Sequence, residues 1–314
     1  MGVSLIRRVA AAVPLLLAIS AGVFGLLHLV PGGPLAVYLS NPDVRPEDLD
    51  RLRRALGLDQ PVWRQYLLWL TGFLRGDWGF SYSDGRPVMD RVLERLPATV
   101  ELVGAALALA ALFTVPLGLV AALTRGWPAR LASLASFAGL ALPVFWFGLV
   151  LQLVFSLGLG WLPSSGRVTP GIDTVADRLL HLVLPATMLA AVHAAAWSRY
   201  LRAAVSDTRR LPFVAAARAR GTSERAVLRR HVLRPALLPV VTIVLLDAAL
   251  MLSGTVVTES VFAWPGLGSL FTESLARRDY TVLMALLMIA SVAVVVFNLI
   301  ADLVYPLIDP RVRT

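Results

Sequence analysis

The chain has 314 residues, 57% of them hydrophobic and 16% charged, where a soluble domain carries about 25% charged residues, so water is not its main solvent. Formal charge is +9 and all 29 basic residues are arginine; without lysine there is no phosphate-binding loop of the lysine-dependent kind, which excludes ATP hydrolysis by this chain. Absence of cysteine excludes disulfides, thiolate nucleophiles and cysteine metal ligands.

A helix needs about 20 mostly apolar residues to cross a bilayer, because no backbone polar group can be left unpaired in hydrocarbon. Six stretches qualify, and the expected fold is an all-α integral membrane protein of six transmembrane helices. The first, residues 9–30, follows Arg7 and Arg8. It is long for a signal peptide and lacks a small-x-small cleavage site, so it reads as a retained anchor.

A long loop, residues 31–95, completes an N-terminal region of residues 1–95. Pro46, Glu47 and Asp48, then Leu49, Leu52 and Leu56, then Gly57 carry helix start and stop chemistry and predict a short amphipathic helix. Trp63, Tyr66, Leu67 and Leu70 follow at helical spacing, a face suited to the membrane interface or to packing on the helical bundle. RGDWGFSYSDG at 75–85 has the composition of tight turns.

The remaining stretches, residues 96–123, 131–159, 179–197, 236–258 and 282–305, form an expected five-helix core over 96–314. The links after the third and fifth, 160–178 and 259–280, balance two arginines each against Asp173 and Asp177, or Glu259, Glu273 and Asp279, and should face outward. The link 124–130 carries Arg125 and Arg130 without an acid, and residues 197–234 carry ten arginines against Asp207 and Glu224. Both should be cytoplasmic by the positive-inside bias, leaving both termini inside. Loop 31–95 then lies outside with nine arginines and nine acids, and loops of that length cross with little regard to charge. Arginines dispersed between apolar runs fit contact with anionic lipid rather than nucleic acid.

Within the cytoplasmic loop, 198–234, Pro212 suits a first helical turn and Ala215, Ala216 and Ala217 are strong helix formers of little bulk. Gly221 suits a left-handed cap, and Ser223 with Glu224 marks a second start. Two short helices meeting at a glycine are expected, with a small-residue face that another protein's groove could accept.

Charge inside a bilayer costs about 2.5–3.5 kcal/mol on insertion scales and normally faces the bundle interior or a wet cavity. Asp247 sits mid-way along the fifth stretch, with Thr242 and Ser253 on the same stretch; Glu101, Gln152, Asn298 and Asp302 lie nearer the ends of theirs. Asp247 either lines a pathway or is a buried aspartate, hydrogen-bonded to a neighbouring helix or paired with a partner subunit's charge. His28, His181, His193 and His231 lack zinc-protease spacing, no serine lies in a G-x-S-x-G elbow, and Gly266 and Gly268 lack the third glycine of a dinucleotide site. Nothing in these patterns points to an enzyme, a metal site or a cofactor on this chain.

Blocks in a fixed order carry a resemblance: HLVPGGP at 28–34, LGLDQP at 56–61, RGDWGFS at 75–81, LPATVEL at 96–102, ESVFAWPGLG at 259–268 and LIDPR at 307–311. With Ala216, Ala217 and Gly221, they resemble the membrane permease subunits of dipeptide, oligopeptide and nickel ABC importers, nearest the dipeptide-type B subunit. Ala215 stands where many such permeases have glutamate; Gly33, Arg220 and Pro235 also depart from the pattern. The resemblance implies a type I importer permease in the bacterial cytoplasmic membrane, with a second permease, two ATPase subunits binding ATP and Mg, and an extracytoplasmic solute-binding protein. It further implies that Ala215, Ala216, Ala217, Arg218, Arg220, Gly221 and Glu224 form the ATPase-coupling segment; Asp247, by its charge within a span, is the candidate for the translocation pathway. Peptide is the expected cargo and nickel or a metal chelate the alternative. An intramembrane enzyme or a membrane scaffold would be a different class; stable association with an ATPase separates the importer from both.

Overall fold

The computed structural model describes residues 2–29, 45, 47, 51, 53–54, 57–172 and 174–308. Most of the amphipathic helix expected over residues 46–57 lies outside them. Among the described residues the chain is helical, apart from one isolated antiparallel bridge between Phe80 and Pro87. In chain order the helices are α1 Gly2–Leu29, α2 Val62–Leu74, α3 Val88–Leu123, α4 Trp127–Ala141, α5 Val144–Leu151, α6 Val175–Thr208, α7 Pro212–Ala219, α8 Glu224–Val227, α9 Arg234–Val261, α10 Leu267–Ala276 and α11 Tyr280–Ile308. Two π-helical segments extend them: Gln152–Gly158 after α5, and Leu228–Leu233 between α8 and α9.

Five described helices are long and apolar enough to cross a membrane, and α4 with α5 makes a sixth crossing if the bent pair counts as one. The third span, expected as one straight run, bends by 109° between Ala141 and Val144. Pro143 is the cause: a residue before proline is driven out of the helical region, and Leu142 is extended at ψ 133°. The fourth span exceeds its apolar window, because α6 continues as helix through Arg199 and Arg202 to Thr208.

The chain forms two compact units. One comprises residues 1–99 and 265–295. Its core joins Val88 and Val92 at the start of α3 to Leu270 of α10 and Val282, Ala285 and Leu286 of α11, with Phe73 and Trp78 packed against them. The face expected from Trp63, Tyr66, Leu67 and Leu70 divides. Tyr66 and Leu70 are half-buried, and the Tyr66 hydroxyl meets Ser20 of α1 at 2.8 Å, whereas Trp63 and Leu67 stay exposed. A buried polar knot closes this unit. Asp279, fully buried, accepts from Arg91 Nη1 at 3.3 Å, from the Tyr82 amide at 3.1 Å and from the Ser81 hydroxyl.

The second unit comprises residues 100–264 and 296–314, with α6 at its centre: 56% of its apolar window is buried, against 28% or less for the other spans. Three helices each lay a glycine on it. A Cβ on Gly118 of α3 would come 2.9 Å from Leu201, one on Gly139 of α4 2.8 Å from Ala195, and one on Gly148 of α5 2.5 Å from Met188. Small residues of this kind let membrane helices approach backbone to backbone, where no hydrophobic force pulls them together. The link 159–174 is pinned at several points: Arg167 pairs with Glu101 at 2.6 Å, Gln152 Nε2 donates to the Ser164 and Val261 carbonyls, and the Gly166 amide donates to the Phe262 carbonyl.

Candidate functional site

The segment from Thr208 to Val227 is built by local rules. Leu211, extended at ψ 144°, precedes Pro212, which occupies the first turn of α7 where its missing N–H costs nothing. The far end closes in a Schellman motif: the Thr222 amide donates to the Ala217 carbonyl at 3.3 Å and the Gly221 amide to the Arg218 carbonyl at 2.9 Å. That geometry requires a left-handed residue, and Gly221 has φ +80°. Ser223 is the N-cap residue of α8, extended at ψ 145° and without a side-chain capping bond.

Two helices therefore meet at a glycine, as expected, but the second is not short. From Glu224 it continues through the π-helical segment into α9 without a break. The wider turn lies immediately before Pro235, where the helix must absorb a residue that cannot donate.

The expected coupling residues fall on two faces. Val214 and Ala217 are fully buried against Leu201 and Val205 of α6 and against Val227, Val232, Ala236 and Val240. Ala217 thus holds the loop to its own chain. Ala215, Ala216, Arg220, Gly221 and Glu224 are exposed, and Arg218 is half-buried. Arg218 Nε donates to Glu224 Oε1 at 2.6 Å and its second nitrogen to Oε2 at 3.4 Å, tying the helices across the turn. Leu211 and Phe213 are also exposed on this segment. The reading of basic and small residues passed them over, although an apolar pair around Pro212 in a loop rich in arginine was the available signal. Chemically, the outer face is a shallow apolar and alanine surface edged with arginine, rigidly seated and able to fit a groove.

Asp247 lies on α9, far from that surface: 23 residues of helix separate it from Glu224, about 35 Å at 1.5 Å per residue if straight. Its Oδ2 accepts from Trp197 Nε1 of α6 at 2.6 Å and lies 3.8 Å from His193 Nδ1. The carboxylate side chain keeps 26% exposure. The hydrogen bond to a neighbouring helix is therefore present, and part of the group remains open. Of the other polar residues noted in the spans, Glu101 and Gln152 anchor the 159–174 link, and the side chain of Asp302 lies outside the described residues.

The family model described as binding-protein-dependent transport system inner membrane component matches residues 114–314, and the model for the N-terminal part of such membrane components matches residues 1–103. The chain is 39% identical over 316 residues to the oligopeptide transport system permease protein AppB of Bacillus subtilis (strain 168), covering 100% of each. It is 36% identical over 309 residues to the glutathione transport system permease protein GsiC of Escherichia coli (strain K12), covering 98% of each. Among solved structures, an inward-facing methionine ABC transporter, MetNI, aligns with a TM-score of 0.56 at 17% identity, over 70% of this chain and 97% of that one. An amino acid ABC transporter crystallised with histidines aligns at 0.54 and 16% identity, over 69% and 93%. At such identities the structural likeness speaks for the fold alone.

Proposed function

Since the chain belongs to the binding-protein-dependent transport system inner membrane component family, as a multi-pass permease subunit of a bacterial ABC importer, we propose that its cargo is peptide and that α7 with the Gly221 turn couples it to an ATPase. Two full-length relatives named for oligopeptide and glutathione transport support the cargo. We assign it a second permease of similar fold, two ATPase subunits that hold ATP and Mg, and an extracytoplasmic binding protein, with both termini on the cytoplasmic side.

The observation that carries the coupling role is the two-faced build of α7. Val214 and Ala217 lock it into the core while Ala215, Ala216 and Arg220 stand free to meet another protein. A force applied to this surface passes at Glu224 into an unbroken helical run reaching Val261. Only the short Gly221 turn lies between the docking surface and the helical run that carries Asp247, so closure of the nucleotide-bound ATPases would move the span as a lever. On this reading Asp247 accepts a cationic group of the cargo, such as a peptide amino terminus.

The test is site-directed cross-linking. Ala216→Cys in the assembled transporter should cross-link to an ATPase subunit carrying a cysteine in its permease-facing cleft, with a yield that changes on ATP binding. An intact assembly that forms no such cross-link at Ala216 or Arg220 would overturn the coupling assignment.

A further inference from the structure

Asp247 does not stand alone, and its two neighbours on α6 have different relations to it. Trp197, fully buried, donates its indole N–H to Oδ2 at 2.6 Å. This contact engages one carboxylate oxygen. His193, one helical turn earlier, has its ring centroid 5.6 Å from that of Trp197, and its Nδ1 stands 3.8 Å from the same Oδ2. That separation is too long for a hydrogen bond and well within reach of an ion pair.

Elements packed against α6 are α3, α4, α5, α7, α9 and the π-helical segment before α9. Their titratable side chains are Asp90, Arg91, Glu94, Arg95 and Glu101 on α3, Arg130 on α4, Arg218 on α7, Arg229, Arg230 and His231 on the π-helical segment, and Arg234, Asp247 and Glu259 on α9. Among the described residues, Asp247 is the one paired with His193.

We propose that Trp197 and His193 set the availability of Asp247 to a cationic cargo group: Trp197 presents the carboxylate, and His193, once protonated, pairs with it and closes the site. The inference rests on the pathway role of Asp247 given above. Imidazole takes its proton between about pH 8 and pH 5. A neutral His193 leaves the carboxylate's negative charge uncompensated and ready for an ammonium group. A protonated His193 needs only a small rotation to supply that charge from within, so acid weakens the site. A peptide's own α-amino group, with an ordinary pKa of about 7.7–8.0, stays charged below neutrality; loss of uptake there is not loss of cargo charge.

The experiment is uptake by proteoliposomes holding both permeases and both ATPases, with binding protein present and equal pH on both sides. The probes are a dipeptide with a free amino terminus and its N-acetylated form, and every variant is compared with the native chain at each pH. Native uptake of the free-amino dipeptide should fall by about tenfold, equivalent to 1.4 kcal/mol, from about pH 7 to about pH 5. His193→Gln and His193→Asn should each reduce that fall to less than about twofold, since neither takes a proton. Trp197→Phe should raise KM for the free-amino dipeptide about tenfold with kcat retained, because the ring packing survives and the donor does not. Acid loss as steep in both His193 variants as in the native chain overturns the inference, provided that Asp247→Asn still abolishes the preference for the free amino terminus. If Asp247→Asn keeps that preference, the pathway reading itself falls, and the inference with it.

Discussion

Arg218 spans the Gly221 turn to reach Glu224, with two hydrogen bonds at 2.6 and 3.4 Å joining the end of α7 to the start of the run that becomes α9. Both side chains are substantially exposed, and such pairs contribute less than about 1 kcal/mol to stability. Their value lies in geometry, because they join α7, the proposed docking surface, to the start of a span. Glu224→Gln should therefore leave thermal unfolding almost unchanged and lower the uptake driven by each ATP hydrolysed. The charge-swapped pair Arg218→Glu with Glu224→Arg should restore it; an uptake-to-hydrolysis ratio that the single variant leaves unchanged would remove the pair from coupling.

Gly221 is the sharper probe of the same turn. A Cβ there meets nothing within 4 Å, so the cost of a side chain is the left-handed backbone at φ +80° alone, about 1–2 kcal/mol for an ordinary L-residue. Gly221→Val should insert and assemble normally yet lose most ATP-driven transport. Gly221→Asn, which tolerates this conformation better, should retain more. Wild-type transport by the valine variant would contradict the assignment.

The glycines facing α6 make a packing prediction. Gly139→Ala would set two methyl carbons 2.8 Å apart against Ala195, an overpacking that costs about 1–3 kcal/mol. Ala195→Gly in the same chain should recover most of the loss. Thermal unfolding of the two single variants and the double variant in detergent checks this, and strictly additive losses would show that the two positions do not touch.

The knot at Arg91 should matter for folding rather than transport. Its side chain is 7% exposed and Asp279 is fully buried, so Arg91→Ala strands a buried carboxylate, at a cost of about 3–5 kcal/mol. Asp279→Asn, which keeps the shape without the charge, should cost less. Asp84 sets the pH dependence at this junction. Burial raises its carboxyl pKa, but a hydrogen bond from the Arg86 amide, the polar contact with Ser81 and the charges of Arg91 and Arg86 bring it below the ordinary value. A depressed folded-state pKa stabilises above the unfolded value, about 3.9, and that contribution is lost as pH falls through the folded value. The melting temperature should drop in that acid range, and by less in Asp84→Asn.

Spans and the glycine turn were legible because each rests on a local signal: apolar length, and a Pro–Ala–Gly order. The bend at Pro143 was not, since a sum of hydropathy over 131–159 weighs proline as one residue among many and does not register that it drives Leu142 out of the helix. Nor was Ala217's burial visible, because four alanines within eight residues look alike until the helix is seated and one face is chosen. Arg91 with Asp279, 188 residues apart, and Trp197 with Asp247, 50 apart, are products of tertiary packing for which one sequence holds no local trace. For Asp247 the sequence left two readings; its bond to Trp197 realises one, and its residual exposure supports the other.

The most direct measurement of the central claim is ATP-dependent uptake of a labelled dipeptide or oligopeptide into proteoliposomes that contain this chain, its partner permease, both ATPases and the binding protein. Accumulation should require ATP and the binding protein and be mostly lost in Gly221→Val with the complex intact. No peptide accumulation by an assembly whose ATPase responds to its binding protein would contradict the peptide assignment, and the failure of any ATPase to copurify would contradict the coupling scheme as a whole.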